Sequence, residues 1–248
     1  MTEPVLRRTS VETGRGESIL QAPLAMLQRP ARVVIAGECN AGKTWLANAL
    51  LGAQVLPTSF VTRTVLPTVV ESGPKARMVL ERHDRSRVAT SWEEVEAGAC
   101  EGRRLCVRLP SARLKGLRLI DTPGLGGGDE DMSRRVRSIC RTADVVVWCT
   151  SALQAWKGSE LGFWLSLPVS VRDKGVLVLT FADMLRHDQD VKRVLGRLQA
   201  EAALHFQRMV TADELPDLLA QATPERAACT MQQPAIETRS LLPALLGA

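Results

Sequence analysis

With 248 residues, 45% of them apolar, and a formal net charge of +5, the chain suits one large domain with short appendages and is too short for a multidomain assembly. No stretch approaches the roughly 18 apolar residues of a membrane-spanning helix, and Arg7, Arg8, Glu12, Arg15 and Glu17 stand where a secretory signal would be apolar, so a cytoplasmic protein is expected. Six cysteines without a CxxC pair point away from a zinc site or a disulfide framework and read as reduced thiols.

Residues 1–30 are polar, then weakly amphipathic, and end at Pro30, which predicts a leading helix. From Arg32 onward, short β-type runs alternate with helical patterns: Arg32–Ala36, then a helix over Thr44–Leu51, later Leu117–Ile120, Asp144–Trp148 and Val176–Leu179. That alternation predicts an α/β fold with a mainly parallel sheet and helices on both faces. Between the first helix and Leu117, the runs Val65–Val70, Arg77–Leu80, Arg87–Thr90 and Leu105–Leu109 predict a β-rich insertion with a short helix near Trp92–Ala97. Residues 72–119 hold eleven Lys/Arg against six Asp/Glu, an excess of five that equals the whole net charge. A solvated surface is the plain reading of that segment, and contact with a polyanion is the alternative. After Asp183 the spacing of Val191, Val194, Leu195, Leu198 and Ala202 predicts a helix to about Leu204. The expected organisation is an extension over 1–30, a nucleotide-binding domain over 31–222 and a tail over 223–248.

Three motifs carry chemistry. Gly37-Glu38-Cys39-Asn40-Ala41-Gly42-Lys43-Thr44 satisfies the P-loop pattern between a predicted strand and a helix. Its backbone N–H groups would wrap phosphate oxygens, Lys43 would add a point charge on the β- and γ-phosphates, and the Thr44 hydroxyl would bind Mg²⁺. Asp121-Thr122-Pro123-Gly124 follows the Leu117 strand, so Asp121 would hold Mg²⁺ through water and the Gly124 N–H would meet the γ-phosphate. Leu125 follows where Ras-type enzymes place the water-orienting Gln. After Val176–Leu179 comes Thr180-Phe181-Ala182-Asp183, at the place of the (Asn/Thr)-Lys-x-Asp guanine motif. Asp183 would accept from guanine N1–H and its exocyclic amine, and Phe181 would stack in place of the Lys stem; a helix cap is the competing role for Asp183. Cys39 reads as a small apolar plug, with a redox switch as the alternative. Trp148, Trp156 and Trp164 read as packing residues, and His83, His187 and His205 receive no catalytic role.

These motifs, with Asn48-Ala49-Leu50-Leu51-Gly52, with Leu56-Pro57-Thr58 leading into Val61-Thr62-Arg63-Thr64, and with Leu109-Pro110 and Leu114-Lys115-Gly116 before Asp121, resemble the GTPase domain of the dynamin superfamily, in particular its bacterial branch. The resemblance spans about residues 31–212. It implies a P-loop three-layer sandwich, GTP or GDP with Mg²⁺ as ligands, and a switch I threonine on the metal. Thr62 matches that threonine best, with Thr58 and Thr64 as competitors; the nearest match to the family's guanine-capping Ser-Ala is Thr211-Ala212. Lys43, Thr62 and Asn40 are the catalytic candidates, Asn40 because relatives with this loop bind an activating K⁺ there. Only some thirty-five residues follow Ala212, which leaves no room for the family's helical stalk.

The implied activity is a GTP-hydrolysing switch, activated by homodimerisation or by a partner, including a hetero-assembly with a stalk-bearing dynamin-like protein. Membrane contact would be peripheral, at the inner membrane, and ranks ahead of nucleic acid. Two other functions stay open: an Era-like or TrmE-like GTPase acting on RNA or ribosomes, and a non-catalytic nucleotide-binding subunit of a larger assembly.

Overall fold

The computed structural model describes residues 29–58, 66–98, 101–126, 128–212 and 214–215. The expected leading helix, the expected tail and the segment with Thr62, Arg63 and Thr64 lie outside the described residues. The chain order is β1 (Ala31–Gly37), α1 (Lys43–Leu51), β2 (Thr68–Ser72), β3 (Arg77–Glu81), β4 (Arg87–Ala89), α2 (Trp92–Glu96), β5 (Arg104–Leu109) and β6 (Leu117–Asp121). It continues with α3 (Glu130–Cys140), β7 (Val145–Ser151), α4 (Gly158–Leu165), α5 (Val169–Arg172), β8 (Gly175–Thr180), α6 (Asp188–Glu201) and β9 (Arg208–Thr211).

All nine strands form one sheet in the order β4-β3-β5-β2-β6-β1-β7-β8-β9. The stretch from β6 to β9 is parallel throughout. Its strands are continuous apolar runs because both faces are covered: Val33, Ile35, Val147, Cys149, Val176 and Val178 pack toward Leu46, Ala47 and Leu51 of α1. The alternate residues Val34, Ala36, Val146, Trp148, Leu177 and Leu179 pack toward Val136 and Cys140 of α3, Trp164 of α4 and Leu198 of α6. The period-2 alternation of each strand thus feeds two cores, and the three-layer α/β sandwich follows.

The β-rich insertion extends this same sheet. β2 runs antiparallel to β6 and parallel to β5, and β3 runs antiparallel to both β5 and β4. β2 starts three residues later than the sequence pattern suggests; Pro67 has no N–H to give a ladder, although its carbonyl accepts from Leu105 N. Helix α6 starts three residues before Val191 and gives way to a separate 3₁₀ turn at Ala203–His205. Helices α3, α4 and α5 and strand β9 were not anticipated by the sequence reading.

The three tryptophans are packing residues. Trp164 is fully buried, donates from Nε1 to His205 O at 2.9 Å, and stacks on Phe206 with ring centroids 4.2 Å apart. Its ring lies on the first residue of β8: a Cβ on Gly175 would come within 2.4 Å of Trp164 Cζ2 and 2.9 Å of Arg172 O. Gly175→Ala must therefore move an indole locked by its own hydrogen bond. We expect a loss of about 1–3 kcal/mol in stability, measured by denaturant unfolding.

Candidate functional site

Every described residue of the three motifs lies at the C-terminal edge of the parallel strands, where α/β sheets place ligands. Residues 37–42 form the loop that joins β1 to α1. Asn40 and Gly42 have left-handed φ values of 58° and 73°, which turn the backbone back on itself before Lys43 opens the helix. Gly42 also leaves room for a neighbour, since a Cβ there would sit 3.1 Å from the Phe181 ring. On the other side, a Cβ on Gly124 would come within 2.7 Å of Cys39 Cα and 2.8 Å of its Sγ, so only glycine lets the two loops meet. Backbone hydrogen bonds lock that contact: Cys39 N donates to Leu125 O at 2.8 Å, and Leu125 N to Gly37 O at 3.1 Å.

The chemical centre is compact. Lys43 is 6% exposed and donates from Nζ to the Glu38 carbonyl at 2.5 Å, within its own loop. Thr44 Oγ1 donates to Asp121 Oδ2 at 2.7 Å. Asp121 is 1% exposed, and its other oxygen, Oδ1, is buried without a hydrogen-bond partner among the described residues. A hydroxyl and a carboxylate in contact, one carboxylate oxygen unpartnered, and a buried ammonium alongside fit Mg²⁺ bound to a nucleotide phosphate. Mg²⁺ takes one or two carboxylates and leaves the remaining positions to water and phosphate. Thr122 completes the turn by donating to Ile35 O at 2.8 Å.

The third motif divides into two roles. Thr180 is fully buried with Oγ1 3.0 Å from Ala41 O and 3.2 Å from Thr150 O, so its hydroxyl ties the phosphate loop to β8 and β7 and does not face a base. Phe181, at a left-handed φ of 56°, lays its ring on Gly42. Asp183 is exposed in the 3₁₀ turn Ala182–Met184; the next helix, α6, is capped by His187. Asp183 therefore does not cap α6. Thr58 is exposed, and Thr62 and Thr64 lie outside the described residues.

Sequence reasoning missed a polar brace behind the loop. Glu38 pairs with Lys157 Nζ at 2.8 Å and is hydrogen-bonded by Ser159 Oγ. Both partners stand at the start of α4, whose N-terminus is fixed by Glu160, 2% exposed. Its carboxylate accepts from Lys157 N at 2.9 Å, Trp148 Nε1 at 3.1 Å and Thr150 Oγ1 at 3.2 Å. The only sequence signal was an acidic residue in the first turn of a helix that begins with glycine. Asn48, 1% exposed, was a second omission: its Oδ1 accepts from Val55 N and Leu56 N, and its Nδ2 donates to Leu56 O, clamping the chain that leaves α1.

The profile of the Dynamin family matches residues 33–181, from β1 to the residue after β8. The chain is 28% identical over 179 residues to the probable transmembrane GTPase FZO-like, chloroplastic, of Arabidopsis thaliana, covering 72% of this chain and 18% of that protein. It is 25% identical over 150 residues to Dynamin-like protein 2 of Campylobacter jejuni, covering 58% and 24%. A solved structure of an oligomerised bacterial dynamin pair, described as a mechanism for long-range sensing and tethering of membranes, shares the fold with a TM-score of 0.62. The identity is 20%, with 84% of this chain and 37% of that chain covered. The chain spans less than a quarter of the length of these two curated relatives. No helix among the described residues is long and apolar enough to cross a membrane.

Burial sets the electrostatics. It lowers the Lys43 ammonium below its ordinary value, with Asp121 opposing, and pushes the Asp121 carboxyl up to about 6 against the pull of Thr44 and Lys43. A carboxyl that holds its proton more tightly folded than unfolded favours folding at low pH, and that advantage falls as pH rises from the unfolded value, 3.8, to the folded one, about 6. Above that window the ionised carboxylate costs on the order of 3 kcal/mol. Asp121→Asn should therefore raise the thermal midpoint of the nucleotide-free protein near neutral pH and flatten its decline across the window, as measured by calorimetry. An unchanged midpoint at every pH would place the cost elsewhere.

Proposed function

The chain belongs to the dynamin family, and from that premise we propose that it binds a guanine nucleotide with Mg²⁺ and hydrolyses GTP as a conformational switch. The observation that carries this reading is the Thr44–Asp121 contact beside buried Lys43, with one Asp121 oxygen left over. The loop residues 37–42 wrap the phosphates with backbone N–H groups, and Lys43 moves from the Glu38 carbonyl to the β- and γ-phosphate oxygens. Thr44 and Thr62 would ligate Mg²⁺ and Asp121 would hold it through water, and such an ion would supply positive charge against the transferring phosphate. The Gly124 N–H meets the γ-phosphate, and Asp183 reads guanine N1–H and the exocyclic amine.

Leu125 cannot orient water, so positive charge and order come from elsewhere. Asn40 is exposed on the phosphate loop, and its side-chain oxygen would be offered to a K⁺ beside the phosphates. A second copy, or a stalk-bearing partner, docking across this edge would order the switch segment. Trp45, Leu153 and Met184 support such docking: they are 42%, 56% and 55% exposed, and each belongs to an element at the C-terminal strand edge. Peripheral membrane association belongs to this reading only through such a partner.

Asp183→Asn should shift preference from guanine to xanthine nucleotides, because the amide donates to the oxygen that replaces the exocyclic amine. Calorimetry with both nucleotides reads the exchange, and an unchanged GTP affinity removes Asp183 from the site.

GTP turnover should be faster in K⁺ than in Li⁺ at equal ionic strength, rise with protein concentration, and lose its cation dependence in Asn40→Ala. Elsewhere a positive charge at this position is worth on the order of 10³–10⁵ in rate. Equal rates in both salts across a wide concentration range would overturn the cation role and leave Arg63 or a partner residue as the source of charge.

A further inference from the structure

The parallel half of the sheet is covered on both faces, but the extension is not. One face of β2, β5 and β3 packs beside Leu114, Trp92 and Val95, through Val70, Val107, Met78, Leu80 and Leu105. The opposite face carries no helix among the described residues, and its side chains fall into three rows across the strands. Arg77 stands opposite Arg108, Arg108 opposite Glu71, and Glu71 opposite Arg118. Two residues along each strand, Val79, Cys106 and Val69 align as an apolar row. Two residues further, Glu81 stands between Arg87 and Arg104. Apart from Glu81, these residues line a cleft of about 150 Å³.

The charges in this cleft do not balance. Glu71 pairs with Arg108 and Arg118, each at 2.7 Å, while Glu81 pairs with Arg104 at 2.8 Å and more loosely with Arg87 and Arg103. Five guanidinium groups, Arg77, Arg87, Arg104, Arg108 and Arg118, line the cleft against Glu71 and the adjoining Glu81, an excess of three. The Nε atoms of Arg104 and Arg118 are buried without an acceptor among the described residues.

We infer that this open face docks an acidic amphipathic helix of a partner protein, which supplies the layer the extension lacks. The two cationic rows lie four residues apart along a strand, roughly 13 Å. A helix running along the strands spans that distance in about nine residues, so carboxylates at that separation reach both rows. The face between them rests on the half-buried Val79 and Cys106, beside Val69, which is already buried in the core, and this requires apolar side chains there. Arginine forks suit bidentate carboxylates. Nucleic acid fits less well, because the cleft presents no aromatic ring for a base to stack on. A flat bilayer would leave the recessed apolar row unfilled. None of this uses the nucleotide chemistry.

Cys106 sits on the floor of the cleft and reports its occupancy. The test alkylates the full-length chain with iodoacetamide and follows Cys106 by peptide mass mapping. Alkaline pH is used because burial raises that thiol above its ordinary value. The probe is a synthetic helical peptide with glutamate pairs about nine residues apart and leucines on the face between them. Saturating peptide should slow Cys106 alkylation several-fold, and a scrambled peptide of equal charge should not. Arg77→Glu/Arg108→Glu should abolish protection while nucleotide binding matches the parent. Arg77→Gln/Arg108→Gln, which introduces no new charge, should do the same if the first variant folds poorly. Absent protection, or equal protection by the scrambled peptide, overturns the inference. So does stronger protection by phosphatidylglycerol vesicles or polyuridylate, which would assign the face to a membrane or to RNA. A Cys106 that reacts only after unfolding would mean that the chain covers this face itself.

Discussion

Two opposite charges, Lys43 and Asp121, are held out of water at neighbouring strand ends, and much of the molecule is arranged to keep them there. Burying an ion costs several kcal/mol unless other dipoles replace its hydration. For Asp121 the replacement is partial: one oxygen has the Thr44 hydroxyl and the other has no partner among the described residues, and burial pushes the carboxyl up to about 6. For Lys43 it is the Glu38 carbonyl of the loop that the helix itself begins from. An apolar pair at these positions would make a more stable fold. The expense is intelligible for the site proposed above, where a phosphate and a divalent ion would meet both charges.

Tight backbone packing follows from that constraint. The phosphate loop touches β7 at Gly37, where a Cβ would lie 2.4 Å from Cys149 O, and meets the loop after β6 at Gly124. Thr180 then ties Ala41 to β8, while Glu38 is braced by Lys157 and Ser159 from α4. The brace is firm because Glu160 satisfies three groups at once with its buried carboxylate, the α4 N-terminus, an indole and a hydroxyl, while Lys157 Nζ reaches the loop at Glu38. Three parallel strands and one helix start therefore fix a loop of six residues from behind and leave its front open.

What the sequence made legible was local chemistry. The phosphate loop, the Asp121 turn and the buried strands could be read because glycine spacing and continuous β-branched runs have one common physical cause each. Helix α3 was missed although Met132, Val136, Ile139 and Cys140 have helical spacing, because Arg and Glu fill the rest of Glu130–Cys140 and mask the stripe. Helix α4 was missed for the opposite reason: Gly158, Phe163 and Trp164 form helices poorly, and it is tertiary burial of Trp164 and Glu160 that holds it. Thr180 shows the other limit, since a hydroxyl at a motif position was assigned to the nucleotide while the fold uses it on the backbone. That distinction depends on which carbonyl lies 3.0 Å away, and no spacing rule contains it.

The segment with Thr62 is held at both ends. Leu56 is buried and clamped by Asn48; Leu66 is buried against Leu80 and Leu105, just before β2. The nine residues between these anchors span at most about 35 Å. The second anchor belongs to the sheet extension. β2 carries Glu71 on the open cationic face, paired with Arg118 of β6, and β6 ends at Asp121. The same two strands thus carry the charged face at one end and, at the other, Asp121 and the anchor at Leu66. Coupling between the two ends requires an element with two discrete positions. β2 and β6 do not supply one, because both are fixed in the ladder.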